Sequence, residues 1–124
     1  MVDFKNGLIQ KLAQTDNSKY SDKLNPMLVS GEEIVFSFKS IRDGVVFTNK
    51  RIFTINVQGL TGKKIDYSSL PYSKIQAFSV ETAGLGDLDT ELELWFSGLG
   101  KVKLEFSSNV DIIKISKMIS DLIL

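Results

Sequence analysis

Asp43-Gly44-Val45-Val46-Phe47-Thr48-Asn49-Lys50-Arg51-Ile52-Phe53-Thr54-Ile55 reads as two strands folded back on one another. Apolar residues run up to a polar pair (Val45, Val46, Phe47) and away from it (Ile52, Phe53, Ile55). A two-residue loop at Asn49-Lys50 sets Phe47 opposite Ile52 and Val46 opposite Phe53. Asparagine tolerates the left-handed backbone that such a tight turn needs.

The same style continues on both sides. Ile34, Phe36 and Phe38 alternate with Glu33, Val35, Ser37 and Lys39, the period of a half-buried strand. Strands are expected at about 44–48, 51–57, 63–68 and 74–82, divided by Asn49-Lys50, Gln58-Gly59-Leu60-Thr61-Gly62 and Leu70-Pro71. Leu92, Leu94 and Phe96 then alternate with Glu91, Glu93 and Trp95, and Val102, Leu104 and Phe106 with Lys101, Lys103 and Glu105. A two-residue loop between these two runs would put their apolar sets on opposite faces. Matching faces require an odd loop or a bulge, which Gly98 and Gly100 permit.

The ends read as helical. Phe4, Leu8, Ile9 and Leu12 predict a short helix over Asp3 to Gln14 capped by Asp3, with Gly7 weakening it. Asp16-Asn17-Ser18 breaks it, and Tyr20 to Leu28 forms a second short turn interrupted at Pro26. At the other end Asn109 or Ser108 caps a helix with Asp111 in its first turn. Ile112, Ile115, Ile119, Leu122 and Ile123 make its stripe, while Ile113 and Met118 lie off it. The expectation is a helical arm over residues 1–29 and one domain over 30–124, with about seven strands.

Bulk composition fits one globular domain of 124 residues, with 43% hydrophobic and 24% charged side chains. Fifteen basic and fifteen acidic residues cancel, so no overall field draws the chain to nucleic acid or an anionic membrane. With no Cys, disulfides and thiol chemistry are out of reach. With no His, so are Ser-His-Asp triads, Cys-His pairs and the usual zinc sites. Met1 to Gln14 lacks a signal peptide's apolar stretch, and no run approaches the ~20 apolar residues of a membrane span. The expected location is the cytoplasm.

Two segments imitate known sites without meeting their requirements. Gly59-Leu60-Thr61-Gly62-Lys63-Lys64 has glycines too close for a phosphate loop, Lys64 at the hydroxyl position, and a strand after it. Asp87, Asp89, Glu91 and Glu93 form an acidic run, but a calcium loop needs a sharp turn with converging ligands. Outward positions of a strand, or a contact with a neighbouring subunit, account for the run. No paired carboxylates lie in an apolar setting of the kind acid–base catalysis uses. Catalysis and cofactors are therefore not expected.

Several stretches together resemble the bacterial pleckstrin-homology (PH)-like domains. They are Asp43 to Ile52, Gln58-Gly59 with Gly62-Lys63-Lys64, and Tyr67-Ser68-Ser69-Leu70-Pro71-Tyr72-Ser73-Lys74-Ile75. Phe78-Ser79-Val80-Glu81-Thr82-Ala83-Gly84 and Asp87-Leu88-Asp89-Thr90-Glu91-Leu92 complete the set. The resemblance implies a mainly β, PH-like barrel of two near-orthogonal antiparallel sheets, closed by a C-terminal amphipathic helix. It also implies a small stand-alone interaction module with a habit of forming ring-shaped homo-oligomers.

On that reading the chain contacts copies of itself, with other proteins as further partners. Trp95 is the leading interface residue, since it shares the polar phase of Glu91 and Glu93 and Trp is enriched among binding hot spots. Ile113, Met118 and the arm's Leu8 are further candidates. The alternative is a monomer that binds an acidic headgroup or peptide through Lys39, Arg42, Lys50, Arg51, Lys63 and Lys64. Membrane lipid is the less favoured ligand, because the dense basic pattern of lipid-binding PH loops is missing here.

Overall fold

The computed structural model describes residues 9–83, 89–107 and 109–124. Eight strands are present among the described residues: β1 (Ile9–Thr15), β2 (Ile34–Lys39), β3 (Asp43–Thr48), β4 (Arg51–Gln58), β5 (Lys64–Pro71), β6 (Ile75–Glu81), β7 (Thr90–Phe96) and β8 (Gly100–Phe106). Helix α1 spans Ser18–Leu24 and α2 spans Ile112–Ile123. The strands follow the order β5-β4-β3-β2-β1-β8-β7-β6. Neighbours in this order pair antiparallel except β1 and β8, which pair parallel, and β5 and β6 stand at its two ends.

The hairpin expected at Asn49-Lys50 forms in the expected register, with Phe47 opposite Ile52 and Val46 opposite Phe53. Its apolar run is continuous because both faces are covered. Val45, Phe47 and Ile52 enter the main core, while Val46, Phe53 and Ile55 lie under α1 in a second cluster with Tyr20 and Leu24. The β7–β8 turn is odd, as parity demands: Phe96 faces Gly100, and Gly98 takes φ 82° within it.

Of the helix expected over Asp3 to Gln14, the described part, residues 9–14, is strand instead. Residues 9–15 are strand β1, which joins the β2–β5 half of the sheet to β6–β8. Ile9 and Leu12 are both buried although three residues apart, a spacing that imitates a helix. A register shift between them produces it, with Lys11 at φ 55°. Asp3 and Leu8 lie outside the described residues.

Helix α2 is capped by Asp111 rather than by Asn109, whose side chain instead accepts from Ser107. The Asp111 carboxylate accepts the Lys114 N–H at 3.1 Å, one of the donors a helix start leaves unpaired. Ser108, the other cap candidate, lies outside the described residues. Ile112, Ile115 and Ile119 drive the helix into the main core, whereas Leu122 stays largely outside.

Helix α1 packs directly on the backbone of Gly44. A Cβ built there would lie 2.5 Å from the Tyr20 hydroxyl oxygen and 2.6 Å from Cζ. Gly44→Ala should therefore push α1 off β3 and cost about 1–3 kcal/mol, read as a lower urea midpoint. Tyr20→Leu in the same chain should recover part of the loss. An unchanged midpoint for Gly44→Ala would refute the close packing.

Candidate interaction surfaces

The outer face of β7 carries the first surface. Thr90, Leu92, Leu94 and Phe96 point into the core, which turns Glu91, Glu93 and Trp95 outward. Trp95 is half-buried, flanked by Ala77 on β6 and Lys101 on β8. Glu93 pairs with Lys101 at 3.6 Å and with Lys103 at 3.8 Å, and Lys103 reaches Glu91 at 3.2 Å. The hydrogen bond to Glu91, reinforced by its charge, raises the Lys103 pKa above its ordinary value. Glu91 and Glu93 of the acidic run are thus matched by lysines of their own chain, while Asp87 lies outside the described residues. Among the described residues no three carboxylates gather as a metal site would need.

The second surface is the exposed side of α2. At roughly 100° per residue, Ile113 and Met118 fall on opposite flanks of the buried stripe. Ile113 is 59% exposed. Met118 packs against the core edge and lines a groove of about 340 Å³ with Val35, Phe36 and Leu122. The Lys114 ammonium lies 5.6 Å from the Phe36 ring centre at the same place. Trp95 and the α2 residues do not share a surface: they occupy separate faces of the fold.

The basic residues divide as well. Lys39, Arg42, Lys63 and Lys64 flank the β2–β3 and β4–β5 loops at one end of the sheet, and Lys50 and Arg51 belong to the β3–β4 turn at the other. The Arg42 guanidinium donates to the Gly59 carbonyl at 2.6 Å, latching the two loops together. Lys39 and Arg42 line an open cleft of about 750 Å³, joined by Lys11 of β1. Lys11 escapes a sequence reading because its segment has helical spacing.

Arg51 is engaged internally. It grips Glu32 with two hydrogen bonds of 2.9 Å and donates to the Met27 carbonyl at 2.7 Å. Burial pushes the Glu32 pKa up, but the bonds from Arg51, the Val29 N–H and Thr48 together hold it below the ordinary value. Beneath this pair Tyr72 donates to the Thr48 carbonyl at 2.7 Å, and burial first, then the Glu32 charge, raises its pKa.

Gly59 to Lys64 forms a turn with positive φ at Gly59 and Gly62, and it leads into β5 rather than a helix. It cannot aim a helix N-terminus at a phosphate. Among the described residues no helix is long and apolar enough to cross a membrane.

The model of the family described as "Bacterial PH domain" matches residues 3–123. The chain belongs to the bacterial PH domain family. The bacterial PH domain fold recurs at 39% identity in a crystal structure of a DUF1696-family protein with a pleckstrin-homology domain from Shewanella loihica PV-4. That match has a TM-score of 0.81 and covers 93% of this chain and 99% of the other. A pleckstrin-homology domain from Shewanella amazonensis SB2B is 42% identical with a TM-score of 0.68, covering 89% and 90% of the two chains. Among curated proteins, the uncharacterized YjqA of Bacillus subtilis (strain 168) is 40% identical over 94% of this chain and 95% of its own.

Proposed function

We propose that this bacterial PH domain is a non-catalytic module that self-associates, with the Trp95 face and the exposed side of α2 as its two contact patches. The observation carrying this reading is the placement of Trp95. It stands half-buried on an outward strand face, between Ala77 on one neighbouring strand and Lys101 on the other. A large aromatic in such a setting is a common interface anchor.

The separation of the two patches supports a ring over a simple two-fold dimer. An isologous dimer uses one patch twice, whereas a head-to-tail ring needs two different complementary ones. Among the described residues strand β6 ends the sheet order and pairs only with β7, which leaves it an edge for added contact.

Light scattering over a range of concentration and salt tests the reading. A stable mass several times the 13.8 kDa of one chain is expected. Trp95→Ala should reduce that mass severalfold, and Ile113→Lys should do the same from the other side. A monomer at every concentration would sink the proposal.

A second reading follows from the cleft that Lys11, Lys39 and Arg42 line, where three cations outnumber the one carboxylate of Asp43. It makes the domain a receptor for an acidic group, with binding that weakens as salt rises.

A further inference from the structure

Lys114, Met118 and Leu122 form one row along a flank of α2, each four residues from the next. Strand β1 pairs with β2 only as far as Ser37, so Val35 and Phe36 border this row across the groove of about 340 Å³. The core does not require the row to be apolar: Met118 only touches its edge, and Leu122 is 41% exposed. Lys114 stands at the head of the row, its ammonium over the Phe36 ring. Among the described residues no carboxylate comes within ion-pair distance of it. Lys117, on the outer rim, is paired with Asp121 at 3.6 Å. The groove is thus an apolar strip with an unneutralised cation at one end.

We propose that it binds a free fatty acid, with the carboxylate on Lys114 and the unbranched alkyl tail running toward Leu122. The charge pattern fixes the direction. Beyond Lys114 lies a second pocket of about 140 Å³ walled by Gln14 and Asp111, and the Asp111 carboxylate repels an anion from it. The head therefore stops at Lys114. Backbone chemistry favours an alkyl chain over an extended peptide, which needs main-chain partners. The strand edge that could supply them is taken: Asn17 donates to the Val35 carbonyl at 3.2 Å and accepts from Ser37 at 2.9 Å. A helix, about 10 Å across, is too thick to lie in so small a groove. An alkyl chain asks only for apolar walls, and the volume is at the low end of small-molecule sites. Ile113 lies on the opposite flank of α2, so this site goes beyond the self-association reading and is open in monomer and assembly alike.

Methyl-labelled methionine tests it by NMR, with Met118 as a reporter in the groove and Met27 as one outside it. Met118→Leu assigns the signal. Titrating the full chain with sodium decanoate at pH 8 should move the Met118 methyl signal to saturation and leave that of Met27 in place. Affinity should rise about two- to fourfold per methylene from hexanoate to decanoate. Lys114→Glu and Leu122→Asp should each weaken binding by about tenfold. Both positions are exposed, so neither change should shift the melting curve.

A Met118 signal that ignores millimolar decanoate would overturn the site. Decyltrimethylammonium moving it as strongly as decanoate would overturn the role of Lys114, since the tail alone would then be recognised. A signal that responds to protein concentration but not to decanoate would give the groove to a second copy. An amphipathic peptide that shifts Met118 where decanoate does not would give it to a protein partner. Either result would sink the fatty-acid proposal, while the mass measured by light scattering judges self-association separately.

Discussion

Replacing Arg51 by alanine should lower the unfolding free energy by about 3–5 kcal/mol. The Glu32 side chain it grips is 0% exposed, and Arg51 itself is 20% exposed. Removing the guanidinium strands a carboxylate away from water, which costs far more than a surface pair would. It also frees the Met27 carbonyl and uncovers the Phe53 ring, over which the guanidinium sits at 4.2 Å. Arg51→Lys should fall between, since an ammonium keeps the charge but lacks the fork that meets both carboxylate oxygens. Urea denaturation checks each. If Arg51→Ala unfolds like the native chain, the pair is ornamental.

The same carboxylate gives the protein a sensitivity to acid. Glu32 has a folded pKa below the ordinary value of 4.5, so its contribution is complete above that value. It is lost as pH falls through the lower folded value, where both states become protonated. Glu32→Gln should flatten this acid limb of the stability curve. An unchanged pH profile in that variant would show that Glu32 is not the group responsible.

Phe106→Ala should cost a similar amount, about 3–5 kcal/mol. Phe106 is fully buried at the end of β8, opposite Leu12 of β1 and Thr90 of β7. Its ring meets Phe38 of β2 at 4.9 Å and 70°, edge to face, and lies 6.5 Å from Phe47 of β3. The cavity would open where the two halves of the sheet join, so the rigid strands around it cannot collapse to fill it. Phe106→Leu keeps most of the volume and should cost under about 1.5 kcal/mol. Equal midpoints for the alanine variant and the native chain would place Phe106 outside the core.

Elements whose side chains repeat with a clean period were legible beforehand. Leu92, Leu94 and Phe96 alternate without interruption, and parity alone demanded an odd turn before Val102. The β3–β4 hairpin was legible for a related reason: its polar turn interrupts a long apolar run. Residues 9–15 were misread because a bulge at Lys11 mimics helical spacing, and a bulge becomes visible only when the partner strand is in place. Phase likewise gave the outward placement of Trp95, Glu91 and Glu93, since strand direction fixes it locally. The α2 candidates were legible as off-stripe residues, but not as lying on a different face from Trp95.

The sequence by itself determined the fold class, most of the strands, the register of the β3–β4 hairpin, the parity of the β7–β8 turn and the closing helix. Each of these follows from local periodicity and turn chemistry, which act over a few residues. Only the tertiary structure decided which charges are at work inside the protein and which face out. Lys50 and Arg51 are neighbours in the chain, yet Lys50 is exposed while Arg51 is bound to a buried Glu32 nineteen residues away. Ile41 and Leu60 are distant in sequence, yet they stand on latched loops. Charge and exposure depend on what the rest of the chain brings alongside, and spacing along the sequence carries no record of that.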